Sequence, residues 1–520
     1  MLKKVFLNQN WIFYLLIFLL VIVVRLPVFE LPIDNDTGAI AYHARLINQG
    51  EPLYGTHHPT HHLPAIYYTY ALIFKLLGDH PNSLQLFLVF WMWLNGVIFL
   101  KIGETLSNRS CGIIAAGLYI LIGSMTNLSG DTAEIELFAN VPISLVILLG
   151  AQLLTNRKKS FLFLFLIGVF GSISFLFKAV YITSLVAVSL TLILDFIFEY
   201  DRKQLAEFLK KISIMFLGFI LVNGIVLFYF GIEGLLSRFL LVFQVGSEYI
   251  NYHESPWYFI FLMPTAIMIN ANFSLLLFDF VSVFRLLFYL PKKIKKNKTI
   301  ALNQFSVIIW LFMSIFAAGF SRFGFAHYGI LLIPPLSLLF GIEVSELWTR
   351  IHKQHPDLNI IKKIVLPTFM LIIVFGNTFY SSSDYIGGYI NYRLGKIDLI
   401  EFAANYTSMG PNNVMAKNIA AYIKQNTEPD DYIFTWTELA QICYLANRRS
   451  SVDVIWSLYV SYFGPPERAF NLKPVYIIVG PYFLYDEETP EWLTSELENS
   501  YRLEKTYNQF KIYRINFIEG

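Results

Sequence analysis

The chain has 520 residues, of which 56% are hydrophobic, 17% aromatic and only 15% charged, with a net charge of +2 and a mean hydropathy of +0.53. Soluble globular chains carry about 25% charged residues. This composition therefore excludes a soluble enzyme, a disordered chain and a fibre, and the near-zero net charge supplies no basic field for nucleic acid.

A membrane crossing needs about 20 mostly apolar residues. Runs of this kind lie near 11–29, 83–101, 111–128, 135–154, 161–177, 180–198, 212–231, 257–289, 303–320, 326–346 and 363–380, which predicts about eleven spans. The first run ends in Arg25-Leu26-Pro27 with no small-residue cleavage site, so it is expected to stay as a span. The run at 257–289 exceeds one upright crossing and predicts a tilted long helix or a helix with an interfacial extension. Residues 30–82 form a long loop containing PAIYYTYALIFKLLG (64–78), expected to lie as an interfacial helix. The alternative is a twelfth, short span that would turn the C-terminus inward. Lys3 and Lys4, Lys101 and Arg109, Arg157-Lys158-Lys159, Arg202-Lys203 with Lys210-Lys211, the run PKKIKKNK (291–298), and Arg350 to Lys363 alternate with loops poor in Lys and Arg. By the bias of basic residues to the cytoplasmic side, the N-terminus is expected inside and the C-terminus outside a cell inner (plasma) membrane.

From about residue 384 the composition changes. YIFTW (432–436), KPVYIIVGPYF (473–483) and FKIYRI (510–515) read as strands among helical stretches, and Thr427 to Asp431 reads as a turn. The expected architecture is a polytopic α-helical transmembrane domain, 1–383 with outer loop 30–82, followed by a small extracytoplasmic α/β domain, 384–520. No Gly-rich phosphate loop follows a strand, so no nucleotide site is expected. The cysteines, Cys111 and Cys443, fall in unlike segments and imply no disulfide.

Ionisable residues near span ends carry the chemistry, because burying them at membrane depth is unfavourable without a use. Asp34-Asn35-Asp36 follows the first span. Either carboxylate suits a general base or an oxygen ligand for a divalent cation. The simpler reading is a cap on a helix starting at Thr37. His57-His58-Pro59-Thr60-His61-His62 holds four of the ten histidines and suits phosphate contact, metal, or an exposed loop. In SGDTAEIE, Asp131, Glu134 and Glu136 suit a helix N-terminus, and Glu134 and Glu136 are expected on different helix faces. Lys178 stands alone among apolar residues at an expected outer span end, either snorkelling or facing an anion. SRFGFAHY (321–328) brings Arg322, His327 and Tyr328 to another outer junction, where a guanidinium suits phosphate. All these groups fall on the predicted outer side, as a site for an anionic lipid-linked substrate requires.

The stretch DNDTGAIAYHARLINQGEPLYGTHHPTHHLPAIYYTYALIFKLLG resembles the first outer loop of the C-type (GT-C) membrane glycosyltransferases, in particular the bacterial protein O-mannosyltransferase and aminoarabinose transferase group. That group shows an acidic residue, an A-R-x-L-x-x-G helix, and an H-K-P-P stretch before Tyr-Tyr. Asp36 stands where its acid falls, and His61-His62-Leu63-Pro64 stands at H-K-P-P, with His62 in place of the lysine and Leu63 in place of the first proline. TAEIELF resembles the second acidic site, at Glu134. FLFKAVYI resembles the stretch with an outer lysine, Lys178. SRFGFAHYGILLIPPLSLL resembles the R-x-x-x-H-Y…P-P run, with Arg322, His327 and Tyr328.

The resemblance implies transfer of a hexose or pentose from a polyprenyl-phosphate donor to a glycan, lipid or protein acceptor. It assigns Asp36 as base, Glu134 as second acid, and Lys178, Arg322, His327, Tyr328 and His62 to the donor phosphate. Asp34 is left as a second acid or metal ligand, so no cofactor is fixed and a divalent cation stays open. The alternative is a transporter or flippase of a lipid-linked or small anionic solute. Against it, no internal repeat is seen and the charges gather at span ends rather than at mid-membrane. A non-catalytic scaffold is a third reading.

Overall fold

A computed structural model describes residues 10–155, 160–198, 205–251, 255–354, 360–481 and 489–516. Lys3, Lys4, Arg157 to Lys159, Arg202 and Lys203 lie outside these, so that part of the predicted charge alternation does too. The chain is a polytopic α-helical protein with a small C-terminal mixed sheet.

Among the described residues eight helices are long and apolar enough to cross a membrane. Eight of the eleven runs read from the sequence are matched by these helices, and three are not. The runs 111–128 and 161–177 become the shorter apolar helices Arg109–Ile122 and Phe161–Phe177. The run 326–346 becomes a 3-10 turn, Ala326–Leu331, and a helix, Ile333–Gln354, which carries Glu343, Glu346 and Arg350. Residues Ala65–Leu77 form a helix too short to span.

The chain divides into two compact units. The first comprises residues 1–29, 85–229 and 249–390 and holds the long apolar helices. Backbones approach closely where Gly168 of Ser160–Phe177 meets Gly218 of Leu205–Ile232. A methyl on Gly168 would sit 1.9 Å from Met215 O, and one on Gly218 would sit 2.2 Å from Phe165 O. Such small-residue contacts are how helices pack in lipid without a hydrophobic driving force.

The run 257–289 is a helix of 38 residues, Phe259–Lys296, interrupted at Asn272. The Asn272 backbone is extended (φ −156°, ψ 84°), and its Oδ1 accepts from the Leu275 N–H at 3.0 Å, as at a helix start. Its Nδ2 donates to Thr378 Oγ1 at 2.8 Å. The excess length is therefore taken up by an internal cap. At the far end of this helix, Arg285 pairs with Glu343 and Glu346, and Lys293 pairs with Glu346 at 2.7 Å.

Arg25 closes the first apolar helix and is fully buried. It donates to Gly130 O at 2.8 Å, Thr132 O at 3.2 Å and Gln85 Oε1 at 2.5 Å. This guanidinium pins the loop that leads into Glu134.

The second unit gathers residues 30–84, 230–248 and 391–520. Its sheet has the order β2-β1-β3-β5-β4, with β1 Tyr432–Trp436, β2 Arg449–Ser450, β3 Tyr476–Val479, β4 Tyr501–Tyr507 and β5 Phe510–Ile515. Strand β1 runs parallel to β2 and β3, and β3 pairs antiparallel with β5. Strands β1 and β3, at the middle of the parallel part, carry the most buried residues, as expected for strands covered on both faces.

Candidate functional site

In the second unit, the helix Asn35–Asn48 starts two residues before the expected Thr37. Asp34 is its cap. The Asp34 backbone is extended, and its Oδ1 accepts from the Thr37 N–H at 2.9 Å. Burial pushes the Asp34 carboxyl above the ordinary carboxylate range, while the Thr37 hydrogen bonds act the other way. Asn35 accepts from the Ala440 N–H at 2.9 Å, and a Cβ on Gly38 would lie 2.1 Å from Gln441 Cβ. The first turn is thus clamped on both sides. Asp36 sits in that turn, half-buried, where the helix N-terminus favours a negative charge. Of the two acids, the one engaged in capping is Asp34.

The histidine stretch is mostly a structural strap within this unit. Tyr42 Oη accepts from the Ser450 N–H at 3.0 Å and lies 3.2 Å from His57 Nε2. His58 Nδ1 accepts from the Thr60 N–H at 3.0 Å, so its Nε2 carries the proton and donates to Arg238 O at 2.9 Å. Burial lowers both rings below the ordinary imidazole range, His58 to about 4. Neither is a cation at neutral pH. His61 lies 3.2 Å from Tyr459 Oη, and its ring lies 4.1 Å from that of His62. Arg45, expected in the family helix motif, forks onto Asp79 and donates to Tyr444 O at 2.7 Å.

A pH effect follows with a definite sign. His57 and His58 bind protons less readily here than at the ordinary value of 6.5. The stability they contribute is present above about pH 6.5 and falls below it; for His58 the loss runs down to about pH 4 and amounts to about 3 kcal/mol. Hydrogen exchange in residues 55–62 is expected to accelerate across that window. His58→Gln keeps a donor for Arg238 O but removes the proton site, so it should flatten the effect. Equal acid sensitivity in both proteins would count against this cause.

In the first unit, acids and cations gather around His327. Glu134 precedes the helix Ile135–Thr155, and Glu136 lies in its first turn. Glu134 Oε1 is 3.9 Å from His327 Nδ1. Glu136 Oε1 is 3.6 Å from Lys178 Nζ and accepts from Tyr181 Oη at 2.6 Å. The expectation that these acids serve different faces is corrected. Glu134 is outside the helix, so helical periodicity does not separate the pair, and His327 feels the charge of Glu136 as well.

Lys178 is neither lone nor snorkelling. It interrupts two helices in an extended conformation, and its ammonium lies 4.1 Å from the centre of the Tyr328 ring. Tyr181 is not among the candidate site residues of the sequence, and its one signal is a three-residue offset from Lys178 across the 3-10 turn Ala179–Ile182, since such a turn brings i and i+3 to one side. Arg322 has φ +59° and donates to Ser255 O at 2.8 Å and Ile250 O at 2.7 Å. No carboxylate among the described residues pairs with it. Tyr328 Oη is 3.4 Å from Tyr249 Oη, a partner with no signal in the sequence.

Glu134 and His327 form an acid–imidazole pair that suits a divalent cation.

No family model matches the chain, and no curated protein matches it by sequence. Solved structures do. The chain is similar to ArnT from Cupriavidus metallidurans bound to undecaprenyl phosphate, at 11% identity and a TM-score of 0.59, with 97% of this chain and 98% of that one covered. It is similar to the archaeal oligosaccharyltransferase AglB from Archaeoglobus fulgidus in complex with an inhibitory peptide and a dolichol-phosphate, at 11% identity and a TM-score of 0.54, covering 91% of this chain and 69% of that one. It is also similar to the oligosaccharyltransferase of the same organism in complex with Zn and sulfate, at 11% identity and a TM-score of 0.50, covering 90% and 68%. The fold is therefore the one shared by these C-type membrane glycosyltransferases, as the resemblance implied.

Proposed function

We propose that this chain transfers a sugar from a polyprenyl-phosphate donor to an acceptor hydroxyl or amine on the outer face of a cytoplasmic membrane. The observation that carries the reading is the likeness in fold, over 97% of the chain, to a protein solved with undecaprenyl phosphate. The capping role of Asp34 supports Asp36 as the base.

In this reading Asp36 takes the proton from the acceptor, whose lone pair attacks the anomeric carbon opposite the phosphate. The bond from the anomeric carbon to the phosphate oxygen breaks, the configuration inverts, and the polyprenyl phosphate leaves with the bonding electrons. The leaving group needs charge stabilisation rather than a proton. Arg322 is the strongest candidate, because carbonyl oxygens orient its guanidinium without neutralising it. Lys178 and the imidazole of His327 are the proposed companions, with Tyr328 fixing the ammonium. Glu134 is the second acid, placed to orient His327 or to ligate a divalent cation. His62 is the weakest member, its ring tilted against that of His61 in the histidine strap.

The test is transfer by the reconstituted protein from a panel of undecaprenyl-phosphate sugars to membrane glycolipid, glycan and peptide acceptors. Turnover of at least one donor is expected. Loss of that turnover with chelator and its return with Mg²⁺ or Mn²⁺ would assign the cation. Transport of a labelled lipid-linked sugar without any transfer would replace the reading with the transporter.

A further inference from the structure

The second unit contains a cavity of about 310 Å³ between the end of the helix Asn35–Asn48, the turn after Gly410–Gln425, and the start of β2. That is on the scale of a small-ligand site. Arg45, Gln49, Asp430, Asn447, Arg448 and Arg449 supply its polar wall. Ligand pockets are commonly apolar with few polar groups, and this one is the reverse.

Two of the three guanidinium groups are used by the fold. Arg45 is held by Asp79 and Tyr444. Arg448 donates from all three nitrogens, to Thr427 Oγ1 and to the carbonyls of Lys424, Thr427, Ala446 and Asn447. Every one of those partners is neutral, and Arg448 is only 6% exposed. Its buried positive charge has no carboxylate partner among the described residues, an arrangement that favours a nearby anion. Arg449 is different. Its Nη2 meets Glu51 Oε1 at 2.5 Å, and its side chain stays 42% exposed. One carboxylate oxygen thus orients the group and leaves further donors for a ligand. Gln49, Asp430 and Asn447 are exposed and give both donors and acceptors.

We propose that this cleft binds an anionic saccharide: a hydroxylated ring bearing a carboxylate or phosphate, with the acid on Arg449 beside Arg448 and the hydroxyls on Gln49, Asn447 and Asp430. Mixed donors and acceptors suit hydroxyls, and the unneutralised Arg448 charge selects an acid. The assignment stands apart from the transfer reaction, because binding rather than turnover reads it.

The experiment uses the full-length protein in nanodiscs and calorimetric titration with glucuronic acid, glucose 6-phosphate, glucose and inorganic phosphate. Saturable binding of at least one acidic sugar is expected, at least tenfold tighter than glucose or inorganic phosphate. Arg449→Ala should weaken it tenfold or more. Gln49→Trp fills the cleft without removing a hydrogen bond of the fold, and should do the same with thermal unfolding unchanged. No saturable binding of either acidic sugar overturns the proposal, as does unchanged binding in both variants. Equal affinity for inorganic phosphate and glucose 6-phosphate overturns the assignment to a saccharide.

Discussion

Asp36→Asn is expected to lower transfer by roughly 10²–10⁴-fold, the usual contribution of a general base, with insertion and folding intact. Asparagine keeps the shape and hydrogen-bonding capacity of the first-turn side chain but cannot take a proton. The comparison with Asp34 is what makes the test sharp. Asp34 Oδ1 caps the helix through the Thr37 N–H, and asparagine caps about as well as aspartate. Asp34→Asn should therefore leave transfer near normal, whereas Asp34→Ala should destabilise the helix start by about 1 kcal/mol. If Asp34→Asn and Asp36→Asn lose transfer equally, and added Mg²⁺ partly restores both, the two acids share a cation instead. Near-normal transfer by Asp36→Asn would remove the mechanism. Transfer and thermal unfolding are measured on the same preparations, so a folding defect is not mistaken for a lost base.

The parts of this molecule that the sequence disclosed are those governed by local pattern. Eight of the eleven apolar runs became long helices, and YIFTW and FKIYRI became β1 and β5 at the expected residues. The strand read at 473–483 contracted to Tyr476–Val479, its ladder with β1 and β5 being that short. β4 escaped notice because YRLEKTY lies at the sheet edge and is mostly exposed, so no apolar alternation marks it. Within the site, residue types were legible and their employment was not. Whether Asp34 or Asp36 caps the helix depends on one backbone dihedral, and the break at Asn272 depends on Thr378, a partner distant in sequence. Glu134 and Glu136 looked incompatible only under the assumption that both were helical. The anion that Lys178 seemed to invite is present in the protein itself, as Glu136.

That last pairing separates structure from catalysis at Lys178. Lys178→Ala is expected to destabilise the first unit by about 3–5 kcal/mol, because it leaves a buried carboxylate without its cation. Glu136 is 1% exposed, and what then remains beside it is the Tyr181 hydroxyl at 2.6 Å and the His327 ring. The loss of donor binding in that variant would be ambiguous by itself. The double variant Lys178→Ala/Glu136→Gln resolves it. A neutral amide still accepts from Tyr181 but needs no counter-ion, so thermal stability should return most of the way towards wild type. If Lys178 also meets donor phosphate, affinity for undecaprenyl phosphate should stay reduced in the double variant despite the recovered fold. Recovery of both stability and affinity would make Lys178 a counter-ion to Glu136 and nothing more, leaving Arg322 to carry the phosphate. Glu136→Gln alone supplies the opposite arm. It frees the Lys178 ammonium from its internal partner, and affinity for an anionic donor should rise rather than fall.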